Sequence, residues 1–432
     1  MDEQPQDVGS GDDRPRAEGD RSRREPAAAP GTPARTEVPS ATRRRLLVGV
    51  GAVLVGAAVP TGIVAFGGGS GGRGSGSAKK AAKGGRLGSS AAPPLLRTPP
   101  PIAIPAHPTL RALGTLKGRH RTIDGFRFSP DGTTLATSEP QSGVLRIWDV
   151  AGRTERVASL RSSNVRFTAL AFSPDGRTLA TGSDERAQFW DTATLRPQGI
   201  EITKAGDDSV QEFSAVAFSP DGRSFVASGF NDDEIRFYNP VTRRPDGGPL
   251  QGDASANIMV FSPDGRMLAS VDESGSDGVQ IWDVAARTRR AKPSLNVFGG
   301  AQNLVFSPDG ATLAIDNDSN EVRFVAAATG KEQGPPLRGH IGSVTGLAFS
   351  TDGHTVVTSD YSGLHFWDAA THKKRATATI PGTPPTVKKP GGGVTITNPG
   401  TRTIHQFALS PDGRTVATAG FQAKTVAFWR LE

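Results

Sequence analysis

The sequence predicts an all-β fold, a seven-bladed β-propeller closed by an N-terminal strand. Three observations carry this. Phe-Ser-Pro-Asp-Gly begins at Phe128, Phe172, Phe218, Phe261 and Phe306, and recurs with changes as Phe349-Ser350-Thr351-Asp352-Gly353 and Leu409-Ser410-Pro411-Asp412-Gly413. The steps between starts are 44, 46, 43, 45, 43 and 60 residues, a period that marks a repeat architecture. Each unit reads as short apolar strands separated by turn residues, with no long helix-period segment.

The second repeat illustrates the unit. Arg166–Phe172 is a short apolar strand and Ser173-Pro174-Asp175-Gly176 a turn. Pro presets φ at the first corner, Asp bonds its neighbouring backbone, and Gly accepts positive φ. Thr178–Gly182 is a second strand, Asp184–Arg186 a turn, and Ala187–Asp191 a third strand. Ile200–Ile202 can supply a fourth. One such sheet cannot bury both faces, but sheets stacked radially bury each other, which defines a propeller. Glu432 stands three residues past Trp429, so the seventh blade is expected to borrow its fourth strand from Thr109–Gly118. That pairing would remove the open edge.

Before the repeats, residues 1–42 hold almost no aliphatic or aromatic side chains and read as a disordered tail. Arg43-Arg44-Arg45 then precede 21 uncharged residues, Leu46–Phe66, long enough to span a bilayer core of roughly 30 Å. The segment 43–66 is expected to be a transmembrane helix that anchors the chain. A cleaved export signal is the alternative, since Thr42-Arg43-Arg44-Arg45-Leu46-Leu47 looks like a twin-arginine motif. Residues 67–108 are Gly/Ser/Lys-rich and then Pro-rich, a linker leading to the propeller at 109–432. Lys79, Lys80 and Lys83 are either a solvated tether or a contact to anionic lipid. The expected location is a single-pass membrane protein with its propeller outside the cytoplasm, or a secreted propeller if the signal is removed.

The net charge of +7 is unevenly divided. Residues 1–45 carry 9 acidic and 9 basic side chains, residues 71–108 carry 6 basic and none acidic, and residues 109–432 carry 35 basic and 34 acidic. The repeats therefore lack the overall basic excess of a nucleic-acid binder, and no nucleic-acid partner is expected. The absence of cysteine excludes disulfides, thiolate metal sites and a cysteine nucleophile.

The repeats resemble the WD-repeat propeller family, of a bacterial, membrane-tethered type. Trp-Asp closes the third strand at Trp148-Asp149, Trp190-Asp191, Trp282-Asp283 and Trp367-Asp368, and the equivalent pairs are Tyr238-Asn239, Val325-Ala326 and Trp429-Arg430. Gly339-His340 supplies the family's Gly-His pair. In that family a His, a Ser or Thr, an Asp and the Trp form a buried structural network. The resemblance implies such a network in the sixth repeat from His340, Thr358 or Ser359, Asp360 and Trp367. The third and fifth repeats depart at Tyr238 and Val325 and are expected to rely on apolar packing.

Residues that could carry function are expected on the top face, at the loops before each first strand. Six residues before each motif stand Thr122, Arg166, Glu212, Ser255, Gly300, Ser343 and Thr403. Four before it stand Asp124, Thr168, Ser214, Asn257, Gln302, Thr345 and His405. These positions resemble those with which family members hold partners around the channel mouth, and the bland alternative is a set of solvated loop residues. Acidic residues recur in the second-to-third turns, among them Asp184, Glu185, Asp232, Asp233, Glu234, Asp272, Glu273, Asp316, Asp318 and Asp360. They either suit exposed turns or form a rim for a basic partner. Asp316–Glu321 superficially resembles a calcium loop but lacks the Gly of its sharp turn. The 60-residue step reflects an insertion over Pro381–Gly400, whose Pro- and Gly-rich runs 381–385 and 388–393 are not expected to form strands.

No metal-spaced histidines, nucleophile elbow, P-loop or kinase motif occurs. No catalytic residue, cofactor or metal is assigned. The expected function is a non-enzymatic, monomeric interaction scaffold or sensor with an unidentified protein partner on its top face. The alternatives are a hydrolase or lyase with a channel active site and a propeller that binds a small ligand or glycan.

Overall fold

Every described residue outside the turns and connections lies in a β-strand. The computed structural model describes residues 103–105, 108–116, 123, 125–139, 143–161, 167–183, 186–203, 213–229, 234–251, 256–271, 278–293, 301–317, 320–380, 386–388, 395–397, 404–420 and 423–432. The expected tail, membrane segment and most of the linker lie outside these residues. Among the described residues no helix is long and apolar enough to cross a membrane.

Seven antiparallel sheets form the blades. Blade 1 runs Gly125–Phe128, Thr134–Glu139, Val144–Asp149 and Thr154–Arg161, from the innermost strand outward. Blade 2 runs Phe167–Phe172, Thr178–Ser183, Arg186–Asp191 and Ile202–Thr203; blade 3 Phe213–Phe218, Phe225–Gly229, Glu234–Tyr238 and Leu250–Gln251. Blade 4 contains Ile258–Phe261, Met267–Val271, Val279–Asp283 and Thr288–Ala291. Blade 5 has three strands, Leu304–Phe306, Thr312–Asp316 and Val322–Ala326, and its outer segment pairs only through bridges Val325↔Glu332 and Val322↔Leu337. Blade 6 is Gly346–Phe349, Thr355–Asp360, Gly363–Asp368 and Lys374–Ala378.

Blade 7 takes Ile404–Leu409, Thr415–Gly420 and Ala427–Leu431 from the C-terminal end and its outer strand, Leu110–Thr115, from before the first repeat. Leu110 pairs with Leu431 and Thr115 with Ala427. Backbone bonds from Thr109 N to Glu432 O (2.7 Å) and from Leu116 N to Val426 O (3.0 Å) extend the pairing at both ends. The closing strand is shorter than the sequence reading of Thr109–Gly118, and a bulge between Ala112 and Gly114 interrupts it.

The core lies between the blades. Strand side chains alternate between faces, so each sheet feeds two interfaces. In blade 5, Leu313 and Ile315 pack with blade 4, while Ala314 packs with blade 6. Residues of blades 6, 7 and 1 form one continuous cluster that includes Ile104, Leu116 and Trp429.

The recurring turn holds the ring as well as each hairpin. In all seven copies the Ser hydroxyl donates to the Asp two residues on, and the Gly N–H donates to the Ser carbonyl. The glycines adopt φ between 67° and 74°, a region that side chains disfavour. Five of them also face the proline of the preceding blade. A Cβ on Gly132 would come within 3.3 Å of Pro411, and one on Gly265 within 3.5 Å of Pro220.

The insertion corrects one expectation. Thr386–Lys388 pairs antiparallel with Thr395–Thr397, so β-branched residues on either side of the Gly-rich run form a short hairpin, and Lys388 is a strand residue.

Candidate functional site

Five blades share one buried contact. Each Trp indole N–H donates to a hydroxyl on the second strand: Trp148 to Thr137, Trp190 to Thr181, Trp367 to Thr358 and Trp429 to Thr418 at 2.9 Å, and Trp282 to Ser270 at 2.8 Å. Every acceptor stands nine residues after the first residue of its motif. The same position is Ala227 in blade 3 and Ile315 in blade 5, the two blades without Trp. A buried indole needs an acceptor, and an orphaned hydroxyl is costly, so the two residues occur together or not at all. The sequence pattern suggested this contact only in the sixth repeat, because the hydroxyls of the other four blades were not aligned with their Trp positions.

Blade 6 extends the contact. Trp367 fills one lone pair of Thr358, so the Thr358 proton goes to His340 Nε2 at 2.8 Å. His340 Nδ1–H then donates to Asn320 O, 2.9 Å away in the blade 5 turn. Burial holds His340 down to about 4. Thr358, not Ser359, is therefore the network hydroxyl; Ser359 is fully buried against Thr345, 2.9 Å away. Asp360 does not bond the His340 ring. Its carboxylate meets His365 Nε2 at 2.8 Å and accepts from Ile341 N, Ser362 N and the Ser362 hydroxyl. Burial acts to raise its pKa, but these donors, His365 foremost, hold it down to about 2.

The aspartates after Trp cap the third-to-fourth turns. Asp149 accepts from Gly152 N, Asp283 from Ala286 N, and Asp191 from Ala193 N and Thr194 N. Hydrogen bonds from Thr371 hold Asp368 well below the ordinary carboxylate range. Farther along these turns sit left-handed residues whose side chains reach the preceding blade. Arg243 (φ 61°) stacks over Phe189 at 3.9 Å, Arg287 (φ 55°) over Phe237 at 4.1 Å, and His372 (φ 58°) on Phe324 at 4.1 Å. The glycines Gly199, Gly247 and Gly334 make room for them.

The expected partner-binding positions separate into three groups. Thr122, Asp124, Arg166, Glu212 and Thr403 lie outside the described residues, as do Ser255 and Gly300. His405 lies in a strand whose neighbours are described. Thr168, Ser214 and Thr345 are engaged inside the ring. Thr168 donates to Phe213 O of the next blade (2.6 Å) and Ser214 to Ala256 O of the next blade (3.0 Å). Ser343, Asn257 and Gln302 are half-buried on the loops before their strands, and Gln302 N donates to Asp316.

Of the acidic turns, Asp184, Glu185, Asp232, Asp233, Asp272, Glu273 and Asp318 lie outside the described residues. Asp316 points inward. Its oxygens accept from Gln302 N, Asn303 N and Asn303 Nδ2 at 2.7–2.8 Å, and burial pushes its pKa up to about 6 against those bonds. Glu321 pairs with Arg323 and Arg338. Both ends of the calcium-like segment are thus occupied by protein groups, and among the described residues no His/Asp/Glu cluster suits a metal ion. One polar inner-strand residue escaped the sequence reading. Arg127 stands just before Phe128, where the other inner strands carry Ala or Val, and burial lowers its pKa to about 10.

The fold is that of a seven-bladed β-propeller. The family model described as WD domain, G-beta repeat, matches residues 110–149, 154–191, 204–239 and 332–368. These four segments are similar to WD40 repeats, and three of them straddle two blades. Residues 110–149 combine the outer strand of blade 7 with three strands of blade 1. Residues 154–191 combine the outer strand of blade 1 with three strands of blade 2. Residues 332–368 combine the bridge-paired outer segment of blade 5 with three strands of blade 6. The sequence repeat runs one strand ahead of the blade, which is why the ring closes through strands from both ends of the propeller.

Proposed function

We propose that this chain is a membrane-tethered propeller that acts as a non-enzymatic interaction scaffold or sensor outside the cytoplasm. The WD40 repeats carry the reading, because this fold commonly serves protein–protein interaction. Fold alone does not define function, and the loops add support. The inserted segment between blades 6 and 7 follows an outer strand. By connectivity it belongs to the same face as the second-to-third turns. A long loop on a rigid scaffold is a favourable place for recognition. Arg43–Phe66 supplies the anchor and residues 67–108 the spacer.

The test has two parts. Protease protection of membrane-bound full-length chain should cut the propeller side from outside the cell and leave the N-terminal tail intact. Affinity capture from the same membranes should recover a partner that is lost when Pro381–Gly400 is replaced by a short Gly-Ser loop. Capture of the same partner by both chains would move recognition away from the insertion. Recovery of the propeller in the cytoplasm would remove the tether.

A further inference from the structure

The outer wall of the propeller is electrically lopsided. Over the third-to-fourth turns and outer segments of blades 3 to 6 (residues 241–251, 283–293, 326–338 and 368–378) stand 11 Lys/Arg and 4 Asp/Glu. The matching segments of blades 1, 2 and 7 (residues 149–161, 191–203, 109–116 and 430–432) carry 6 and 5. The propeller is nearly neutral in total, so the excess is a matter of placement. Each of the four carboxylates on the basic side already has a cation of its own. Asp246 faces Arg287 (3.8 Å), Asp283 faces Arg290 (3.5 Å), Glu332 faces Arg323 (2.8 Å) and Asp368 faces Arg375. The surplus is exposed: Arg244, Lys331 and Lys373 stand in solvent on three different blades.

We infer that this wall is a docking surface for an extended acidic segment of a protein partner, separate from the top face. Three features select that occupant. First, the wall ends in open strand edges. Thr288–Ala291 and Lys374–Ala378 are the last strands of their sheets, with no residue of the first and only Ala378 of the second buried. An extended peptide can add there as a further strand, its carboxylates meeting the flanking cations. Second, the described residues expose no Phe, Tyr or Trp on which bases could stack; the large exposed hydrophobics are Ile200, Val241 and Ile341. Third, the wall is convex over four blades of seven. A flat bilayer can touch only a short arc of it, whereas a flexible chain can follow it. The cations are also spread over separate blades and do not converge on a pocket for one small anion.

The test uses the full-length chain and a fluorescent peptide alternating Glu with Val and Thr. The comparison is between two triple reversals: Arg244→Glu, Lys331→Glu, Lys373→Glu on the basic wall, and Arg177→Glu, Arg196→Glu, Arg414→Glu on blades 2 and 7. Both sets alter exposed side chains, and matched thermal melting establishes that both variants fold. The native chain should bind the peptide, with affinity falling steeply as salt rises through about 0.15 M, where the Debye length is about 8 Å. The basic-wall variant should lose about tenfold or more in affinity, and the control less than about twofold, as expected when complementarity is local. Equal losses in both variants, or no binding by the native chain, would overturn the proposal. Tighter binding of an oligothymidylate or of anionic vesicles than of the peptide, lost in the same basic-wall variant, would also overturn it, in favour of a different polyanion. Loss of the insertion-dependent partner of the top face leaves this result untouched, so the two readings fail separately.

Discussion

Blades 5 and 6 are neighbours whose three inner strands follow the same order and whose chemistry is opposite. Blade 6 holds its third strand to its second through Trp367, Thr358 and His340, all inside a polar chain that ends on Asn320 of blade 5. Blade 5 has Val325 and Ile315 at the corresponding places, fully buried in an aliphatic cluster shared with blade 4. Its buried polar contact is shifted toward the inner strand, where Asp316 gathers Gln302 and Asn303. The backbone is indifferent to which solution fills the layer, provided every buried donor finds an acceptor. The two solutions differ in their response to acid.

The harshest break of the comparison is to open the ring. A chain beginning at Arg121 lacks Leu110–Thr115, exposes the edge of Ala427–Leu431 and should be insoluble or unfolded in both blades alike. A soluble truncation with one cooperative melt would show that the blades stand without closure. Next comes Trp367→Ala, which removes a buried indole and should cost about 3–5 kcal/mol by chemical denaturation. Val325→Ala in blade 5 removes far less volume and should cost roughly 1–3 kcal/mol. Equal losses would mean that blade 6 does not depend on its tryptophan more than blade 5 depends on its valine.

The pH response sharpens the contrast. The unfolded chain protonates His340 from about pH 6.5, whereas the folded chain resists until about 4. Stability from blade 6 should therefore fall as pH drops through that window, and Asp360 should add a further loss as pH falls from about 3.8 through about 2. Asp316 runs the other way. Its folded pKa is raised to about 6, so its contribution is full below about pH 3.8 and is lost as pH rises through 6. Denaturation between pH 4 and 7 should become less acid-sensitive in His340→Gln and more acid-sensitive in Asp316→Asn. Parallel shifts in both variants would contradict the opposed titrations.

The smallest effect lies at the seam between the two blades. His372 stacks on Phe324 with a left-handed backbone. His372→Ala loses the stacking and keeps the strain, a cost of about 1 kcal/mol, whereas His372→Gly relieves the strain and should fall within about 0.5 kcal/mol of the parent. A larger loss in the Gly variant would show that the ring contact outweighs the backbone.

Much of this fold could be read from the sequence because turns speak locally. Ser-Pro-Asp-Gly fixes its own hairpin through residues two to five apart, so its copies count the blades. The closing strand was visible because the seventh repeat lacked a partner for its outer edge. The candidate face was harder. Thr168 and Ser214 look like solvated loop residues, yet each hydroxyl ends on a backbone carbonyl 45 or 42 residues away. A carbonyl carries no residue type, so nothing in the acceptor marks the pair; the separation, close to one repeat, is its only trace. Asp360 likewise belongs with His365 on the neighbouring strand, a choice set by strand register and invisible to a motif that pairs it with His340.

The clasp at Thr109 and Glu432 also sets a clock. These residues bond although 323 positions separate them. At about 5–20 residues per second of synthesis, Leu110–Thr115 waits roughly 15–65 s for its partner strand to exist. During that interval the apolar sheets of blades 1 to 6 accumulate with no finished ring around them. The closing strand itself carries few apolar side chains, and none is fully buried: Ala112 is exposed, and Leu110 and Leu113 stay half-buried even when docked. A modest, partly polar strand is well suited to such a delay, since it can remain solvated until the final hairpin emerges and turns a growing arc into a circle.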